Sequence, residues 1–210
     1  MILKLIACIV IGYLLGSFST GYVVGKMNHI NIHEEGSGNS GATNALRTMG
    51  IKAGLFTFLG DLLKGLLPVI VVRILFHKQP DMGVYFGLVI GLAAVLGHNF
   101  PFWLNFKGGK GIAVTSAVIL GIADWRVTLV GLILFILIVA STRYVSLGSL
   151  MVAWLLPVNM LLFCRDSEYF LHMLIVSLLF TLLAYVRHAS NIKRLLNGTE
   201  RKFGVKSKNK

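Results

Sequence analysis

The chain has 210 residues, 56% of them hydrophobic and 13% charged, with a mean hydropathy of +0.79 and a formal net charge of +12. A soluble domain of this size carries about 25% charged residues, and here the apolar excess comes in long blocks, so composition excludes an ordinary soluble globule and predicts an all-α, polytopic integral membrane protein. The positive charge is not gathered into a separate basic domain, which argues against a nucleic-acid partner and for basic loops facing anionic lipid headgroups.

In chain order, the first apolar block covers residues 2–24. Small residues at Gly16 to Ser19 imitate a signal-peptide cleavage site, but apolar character continues through Val23 and Val24, so an uncleaved first span is expected. Further spans are read at about 52–75, 83–100, 111–124, 127–141, 147–163 and 168–186, about seven in all. The fourth and fifth are short and separated only by Asp124-Trp125-Arg126. As a hairpin that does not fully emerge, they would leave five full spans.

Seven spans put residues 25–51, 101–110, 142–146 and the tail from 187 on one face. That face carries about 13 Lys and Arg against about 5 on the other, most of the excess being in the tail. It is therefore expected to be cytoplasmic, with the N-terminus outside, the C-terminus inside, and the protein multi-pass in the inner (plasma) membrane. No internal repeat is visible, so residues 1–210 are read as a single domain. Cys8 and Cys164 have neither a CxxC partner nor a histidine at ligand spacing, so no disulfide or metal site is expected. Asp61 and Lys64, three apart inside the second span, are expected to form an ion pair that braces whatever lies above it.

Two polar stretches fall on the basic face. The first is GSGNSGATNALR, residues 36–47. Gly36, Gly38 and Gly41 permit positive φ and close backbone approach, which turns N–H groups toward an anion. Ser37, Asn39, Ser40, Thr43 and Asn44 add side-chain donors, and Arg47 adds a planar cationic fork suited to phosphate. A flexible loop with a serine cap before the next helix is the simpler alternative. The second stretch, GHNFPFWLNFKGGKG, residues 97–111, places Lys107 and Lys110 around Gly108 and Gly109. It is half a phosphate loop, but Gly111 stands where a Ser or Thr would hold magnesium, so a nucleotide hydrolase is excluded. His98 is either an interfacial cap or a residue that positions a hydroxyl. Arg143 and Ser146 lie at the mouth of a span, and the tail RHASNIKRLLNGTERK carries His188, Asn191 and Glu200, with Ile192, Leu195 and Leu196 giving it an amphipathic face.

Taken in order, GSGNSGATNALR, GDLLKG, GHNFPFWLNFKGGKGIA, TRYVSLGS and RHASNIKRLLNGTERK resemble the PlsY family, the bacterial membrane glycerol-3-phosphate acyltransferases that use acyl phosphate as donor. The similarity runs over essentially the whole chain, with a conservative departure at Ile112, where valine is common. The resemblance implies transfer of a fatty acyl group to the 1-hydroxyl of sn-glycerol 3-phosphate, giving lysophosphatidic acid and inorganic phosphate. It also implies seven spans, no cofactor and no metal. Acyl phosphate, glycerol 3-phosphate and membrane lipid are the expected partners, with functional coupling to an enzyme that makes acyl phosphate.

On that basis Ser37, Gly38, Asn39, Lys107 and Lys110 are assigned to the acyl-phosphate head, within a loop framed by Gly36, Thr43, Asn44, Gly108 and Gly109. Arg47, His98, Arg143, Ser146, His188 and Asn191 are assigned to glycerol 3-phosphate, and Glu200 to organising the tail. The hydroxyl proton goes to the departing phosphate or to His98, and an acyl-Ser37 intermediate is a third route. A transporter for phosphorylated metabolites would show midplane sites on repeated, broken helices, and a magnesium-dependent head-group transferase would need a dense aspartate cluster. The sequence shows neither.

Overall fold

The computed structural model describes residues 1–204; residues 205–210 of the chain, with Lys206, Lys208 and Lys210 of the basic tail, lie outside that range. All regular structure among the described residues is helical. In hydrocarbon, a helix satisfies every backbone N–H and C=O within its own segment.

The first pass is α1 (Ile2–Ser17) followed by α2 (Thr20–Met27), where the sequence predicted one continuous helix. The break strands backbone carbonyls that a continuous helix would have used. Ser17 C=O accepts from Trp103 Nε1 at 2.8 Å and Phe18 C=O accepts from Lys64 Nζ at 2.7 Å. Inside the stretch expected to be a loop, α3 (Ala42–Met49) forms a short helix, ended by Gly50 at φ 87°. The long α4 (Ile51–Leu75) and α5 (Pro80–Asn99) follow. Glycines set the packing here. A Cβ on Gly16 would overlap the backbone of Ala94, and one on Gly97 would overlap the carbonyl of Tyr13, so α1 lies directly on α5.

The second half comprises α6 (Ile112–Ile122), α7 (Trp125–Thr142), α8 (Val145–Val152), α9 (Leu155–Phe163), α10 (Phe170–Arg187) and α11 (Ala189–Leu196). Six apolar helical passes among the described residues are long enough to cross a membrane: Ile2–Met27, Ile51–Leu75, Pro80–Leu104, Trp125–Thr142, Val145–Phe163 and Phe170–Arg187. The expectation of two short segments at 111–141 was half right. The second of them, α7, is 18 residues or about 27 Å long. The first, α6, has 11 residues and covers only about 16 Å.

The short α6 has a structural reason. Its start packs against the end of α5, since Gly111 meets Val95 and Asn99, and its last turn meets Gly87. The α5 end is itself recessed: His98 lies beside Asp61, ten residues or about 15 Å into α4. The loop joining α5 to α6 therefore forms a floor sunk well below the start of α4, and α6 begins at that floor.

The core is formed by Val69, Phe86, Leu88, Val114, Val118, Leu156, Met160, Met173 and Phe180, all essentially inaccessible. On α7, by contrast, only Val127 and Gly131 are buried, and its leucines and most of its isoleucines are exposed. Such an outward apolar belt suits a lipid surrounding.

Candidate active site

A cavity of about 1540 Å³ opens where the floor, α3, α8 and the tail meet, and it continues between α6 and α7. Its cationic residues are Arg47, Lys107, Lys110, Arg187, Arg194 and Arg201, against the carboxylates of Glu34, Asp61 and Glu200.

The floor is residues 105–111. Asn105 and Phe106 both take positive φ, which reverses the chain after a short 3₁₀ turn at Phe102–Leu104. Gly109 N–H donates to His98 C=O at 3.0 Å, pressing the loop against the end of α5. Arg187 clamps it from the other side, donating to Gly108 C=O at 3.2 Å and to Gly109 C=O at 2.8 Å and 3.1 Å, with its guanidinium over the Phe100 ring. In a trans peptide the N–H opposes the C=O, so the clamp turns the Lys110 N–H away from Arg187 and toward the opposite side of the loop.

Asn44 organises the rim. Its side chain accepts from Ser37 N–H at 2.8 Å and donates to Glu35 C=O at 3.0 Å and Ile32 C=O at 3.3 Å. Asn44 is 2% exposed. It therefore holds the loop in shape, in place of the substrate contact expected from the sequence. Asn39 Oδ1 accepts from Gly41 N–H at 2.9 Å, a local turn. The cap of α3 is Gly41, without the side-chain bond that a serine cap would have made. Gly36 and Gly38 take φ of 61° and 69°, the left-handed region that glycine tolerates. Ser37 and Thr43 remain exposed along the cavity, as does Lys107 on the floor.

The tail closes the third side through one carboxylate. Glu200 accepts from Ser146 Oγ at 2.9 Å, Asn191 Nδ2 at 2.6 Å and Arg194 Nε at 2.7 Å. Burial opposes its ionisation, but these donors together outweigh burial and hold its pKa below the usual carboxylate value. Asn191 Oδ1 in turn accepts from Lys110 Nζ. Ser146 and Asn191, expected on the substrate, thus spend these atoms on aligning Lys110 and Glu200. Burial, reinforced by Arg194, Arg187 and Arg47 and partly offset by Glu200, brings Lys110 down to about 8. His188 is pushed to about 4 by burial and then by Lys110, so it is neutral near pH 7. Its Nδ1–H donates to Ala184 C=O at 2.8 Å, which leaves Nε2 as an acceptor.

Away from the charges the lining turns apolar. Thr128, Gly131, Leu132, Phe135 and Val139 form one stripe of α7, facing Ile119 and Leu120 of α6 and Val152 and Leu155 beyond. From Thr128 to Val139 the stripe runs about 16 Å along the helix. Leu120 and Leu132 are both more than half exposed, so this arm is open toward the lipid side.

Most of the residues singled out from the sequence border this one cavity: Gly36, Ser37, Gly38, Asn39, Thr43, Asn44, Arg47, His98, Lys107, Gly108, Lys110, Ser146, His188, Asn191 and Glu200. Two do not. Gly109 lies beneath the floor against the His98 ring. Arg143 ends α7 in a left-handed conformation and lines a separate groove with Ile136 and Ala140, its C=O bound by Phe203 N–H. Being the helix C-cap turns its side chain away from the main cavity. Sequence reasoning missed Arg187, Arg194 and Arg201 as lining residues, and the only available signal was their crowding within the basic tail. It also missed how directly Asp61 and Lys64 adjoin His98. Among the described residues no group of three His, Cys, Asp or Glu could hold a metal ion.

Fold and cavity together define a multi-pass membrane protein whose ligands are part anion and part lipid. The glycerol-3-phosphate acyltransferase family profile matches residues 6–198. The chain belongs to that family. It is 47% identical over 191 residues to the glycerol-3-phosphate acyltransferase of Trichlorobacter lovleyi, covering 91% of this chain and 93% of that one. It is 42% identical to the enzyme of Clostridioides difficile, covering 94% of each. Its fold matches the crystal structure of PlsY (YgiH), an integral membrane glycerol 3-phosphate acyltransferase, in its glycerol 3-phosphate form, with a TM-score of 0.82, 34% identity, and 95% and 96% of the two chains covered. The lysophosphatidic acid form of the same protein matches with a TM-score of 0.80 at 34% identity, over 95% of each chain.

Proposed function

We propose that this cavity is where the chain, a glycerol-3-phosphate acyltransferase, moves a fatty acyl group from acyl phosphate to the 1-hydroxyl of sn-glycerol 3-phosphate. The products are lysophosphatidic acid and inorganic phosphate, and the reaction serves phospholipid synthesis. The observation that carries the assignment of place is the continuity of one cavity from a cationic floor to an apolar, lipid-open arm. An acyl phosphate has that same division: an anionic head on a chain that prefers the bilayer.

The acyl chain lies along the α7 stripe, with its phosphate over Ser37, Gly38, Asn39, Lys107 and Lys110. Arg47 holds glycerol 3-phosphate, with Lys110 reaching it from a position that Asn191 and Glu200 fix, and the Nε2 lone pair of His188 accepts from a glycerol hydroxyl. Acyl phosphate is a mixed anhydride, so the hydroxyl oxygen adds to its carbonyl carbon, the C–O bond to phosphate breaks, and phosphate leaves. The leaving phosphate, with a second pKa near 6 if it behaves as a phosphoester, takes the hydroxyl proton. The protein's share is alignment of the two heads and stabilisation of the charge growing on the carbonyl oxygen. Ser37 Oγ has no hydrogen-bonded base among the described residues, its backbone N–H being the group that Asn44 binds, and this favours direct transfer over an acyl-serine.

With the short α6 counted as a pass of its own beside the six long ones, the chain makes seven passes, N-terminus outside and C-terminus inside. The floor, rim and tail then share the cytoplasmic face, where an acyl-phosphate-producing enzyme would deliver its product. The excess of Lys and Arg on those segments supports this orientation.

Purified protein in lipid, given palmitoyl phosphate and glycerol 3-phosphate, is expected to release phosphate in step with lysophosphatidate. Phosphate release that ignores the acceptor would overturn transfer in favour of hydrolysis. Single cysteines at Ser37 and Lys107 are expected to react with an impermeant reagent from the same side of oriented vesicles, and labelling from opposite sides would overturn the topology.

A further inference from the structure

We propose that Lys64 is a positioning residue that fixes His98 as a neutral hydrogen-bond donor aimed into the cavity, its proton on Nε2. This deepens the assignment of His98 to the active site and rests on it. The observation is the surroundings of one buried ammonium group. A lysine ammonium has three N–H donors and no acceptor. Lys64 Nζ lies 2.7 Å from Phe18 C=O, 2.8 Å from Asp61 Oδ1 and 2.8 Å from His98 Nδ1. Two of the donors meet hydrogen-bond partners, Phe18 C=O and the His98 imidazole nitrogen, and Asp61 stands beside the ammonium as its ion-pair partner.

That nitrogen must be an acceptor. A proton on His98 Nδ1 would set N–H against N–H, and an imidazolium would also set two cations in contact. Asp61 Oδ1 stands 3.6 Å from Nδ1, beyond hydrogen-bond length, so Lys64 and not Asp61 is the ring's partner. The side chains of Lys64, Asp61 and His98 are 7%, 2% and 4% exposed, which leaves little water to offer another arrangement. A neutral imidazole carries one proton, so it sits on Nε2.

Nε2 makes no hydrogen bond to the described residues. His98 borders the cavity, and Gly109 packs against the ring, where a Cβ would overlap Nε2 itself. The break between α1 and α2 belongs to the same device, because only a broken helix frees Phe18 C=O to take the first Lys64 donor. His98 thus offers an N–H to a carbonyl or phosphate oxygen and takes no proton during transfer. That separates it from His188, whose Nδ1–H is tied to Ala184 and whose Nε2 is bare.

The test uses the full chain in lipid nanodiscs with nitrogen-15 histidine, His98 being identified by the signals lost in His98→Gln. At neutral pH the wild type is expected to show His98 protonated at Nε2 only. Protonation at Nδ1, or at both nitrogens, would overturn the proposal. Kinetics give a second readout. A glutamine amide offers an N–H near the place of Nε2 but is no base, so His98→Gln is expected to lose about tenfold in kcat while His98→Ala loses about 10²–10³-fold. Equal losses in the two variants would overturn the donor role. Lys64→Met is expected to give mixed His98 tautomers; an unchanged Nε2–H signal would show that something else sets the ring. The spectra need no turnover, so a wild type that forms no lysophosphatidate would sink the site assignment and leave the tautomer result standing.

Discussion

Residues 31–41 and residues 105–111 both border the cavity, but the first segment is tied mainly to its own neighbourhood and the second to distant parts of the chain. In the rim loop, Asn44 binds Ile32, Glu35 and Ser37, His33 Nδ1 contacts Gly38 C=O at 3.2 Å, and Asn39 binds Gly41. The floor loop instead depends on His98, on Arg187 at a sequence separation of 78 and on Asn191 at 81. A locally closed loop keeps its shape when its surroundings shift. A loop clamped from three helices is accurate only when all three are in place. The rim should therefore tolerate change better than the floor.

The sharpest way to break this contrast is Gly109→Ala. The added methyl meets the His98 ring, which Lys64 prevents from swinging aside. Overpacking of this kind costs about 1–3 kcal/mol, and displacing a transition-state donor adds a loss of about 10²–10³ in kcat. Thermal unfolding and turnover measured together should show activity falling much further than stability. Next comes Arg187→Met, which frees the carbonyls of Gly108 and Gly109. A misplaced floor is expected to cost about 10² in kcat/KM with the protein still folded.

Asn44→Ala tests the rim. It leaves Ser37 N–H and the Glu35 and Ile32 carbonyls without their partner, a cost of about 1–3 kcal/mol in stability. The kcat/KM loss is expected to be smaller than for Arg187→Met, and a larger loss would reverse the contrast. The mildest effect should come from pH. Lys110, brought down to about 8, loses its charge as pH rises through that value, so kcat/KM should decline above pH 8. Between pH 8 and the ordinary lysine pKa the unfolded chain holds the proton that the folded one has released, so this residue makes the fold more stable across the same window. Activity and thermal stability measured from pH 7 to 10 should thus move in opposite directions, an effect that Lys110→Met removes.

The apolar blocks were legible because hydrocarbon admits few alternatives to a helix of about 20 residues, and boundaries such as 52–75 against Ile51–Leu75 reflect that. The break at Phe18–Ser19 was not, since no proline marks it and its freed carbonyls are rescued from 46 and 86 residues away. Nor was the brevity of α6, which follows from where α5 stops. Among the site residues, glycines and cations were visible as types, while their tasks were not. Asn44, Ser146 and Asn191 looked like ligand donors and have their polar atoms committed to the scaffold, and Arg143 turned out to cap a helix.

By itself the sequence determined the solvent, the helical class, and the two glycine-rich loops with their cations on one face, because hydropathy blocks and glycine conformation are local properties. Only the tertiary structure decided which loop is rigid, which carbonyls are left for Lys64 and Arg187 to take, and which nitrogen of each histidine can meet a ligand. Those outcomes depend on hydrogen-bond partners brought together from separate helices, and no spacing along one chain encodes which donor will find which acceptor.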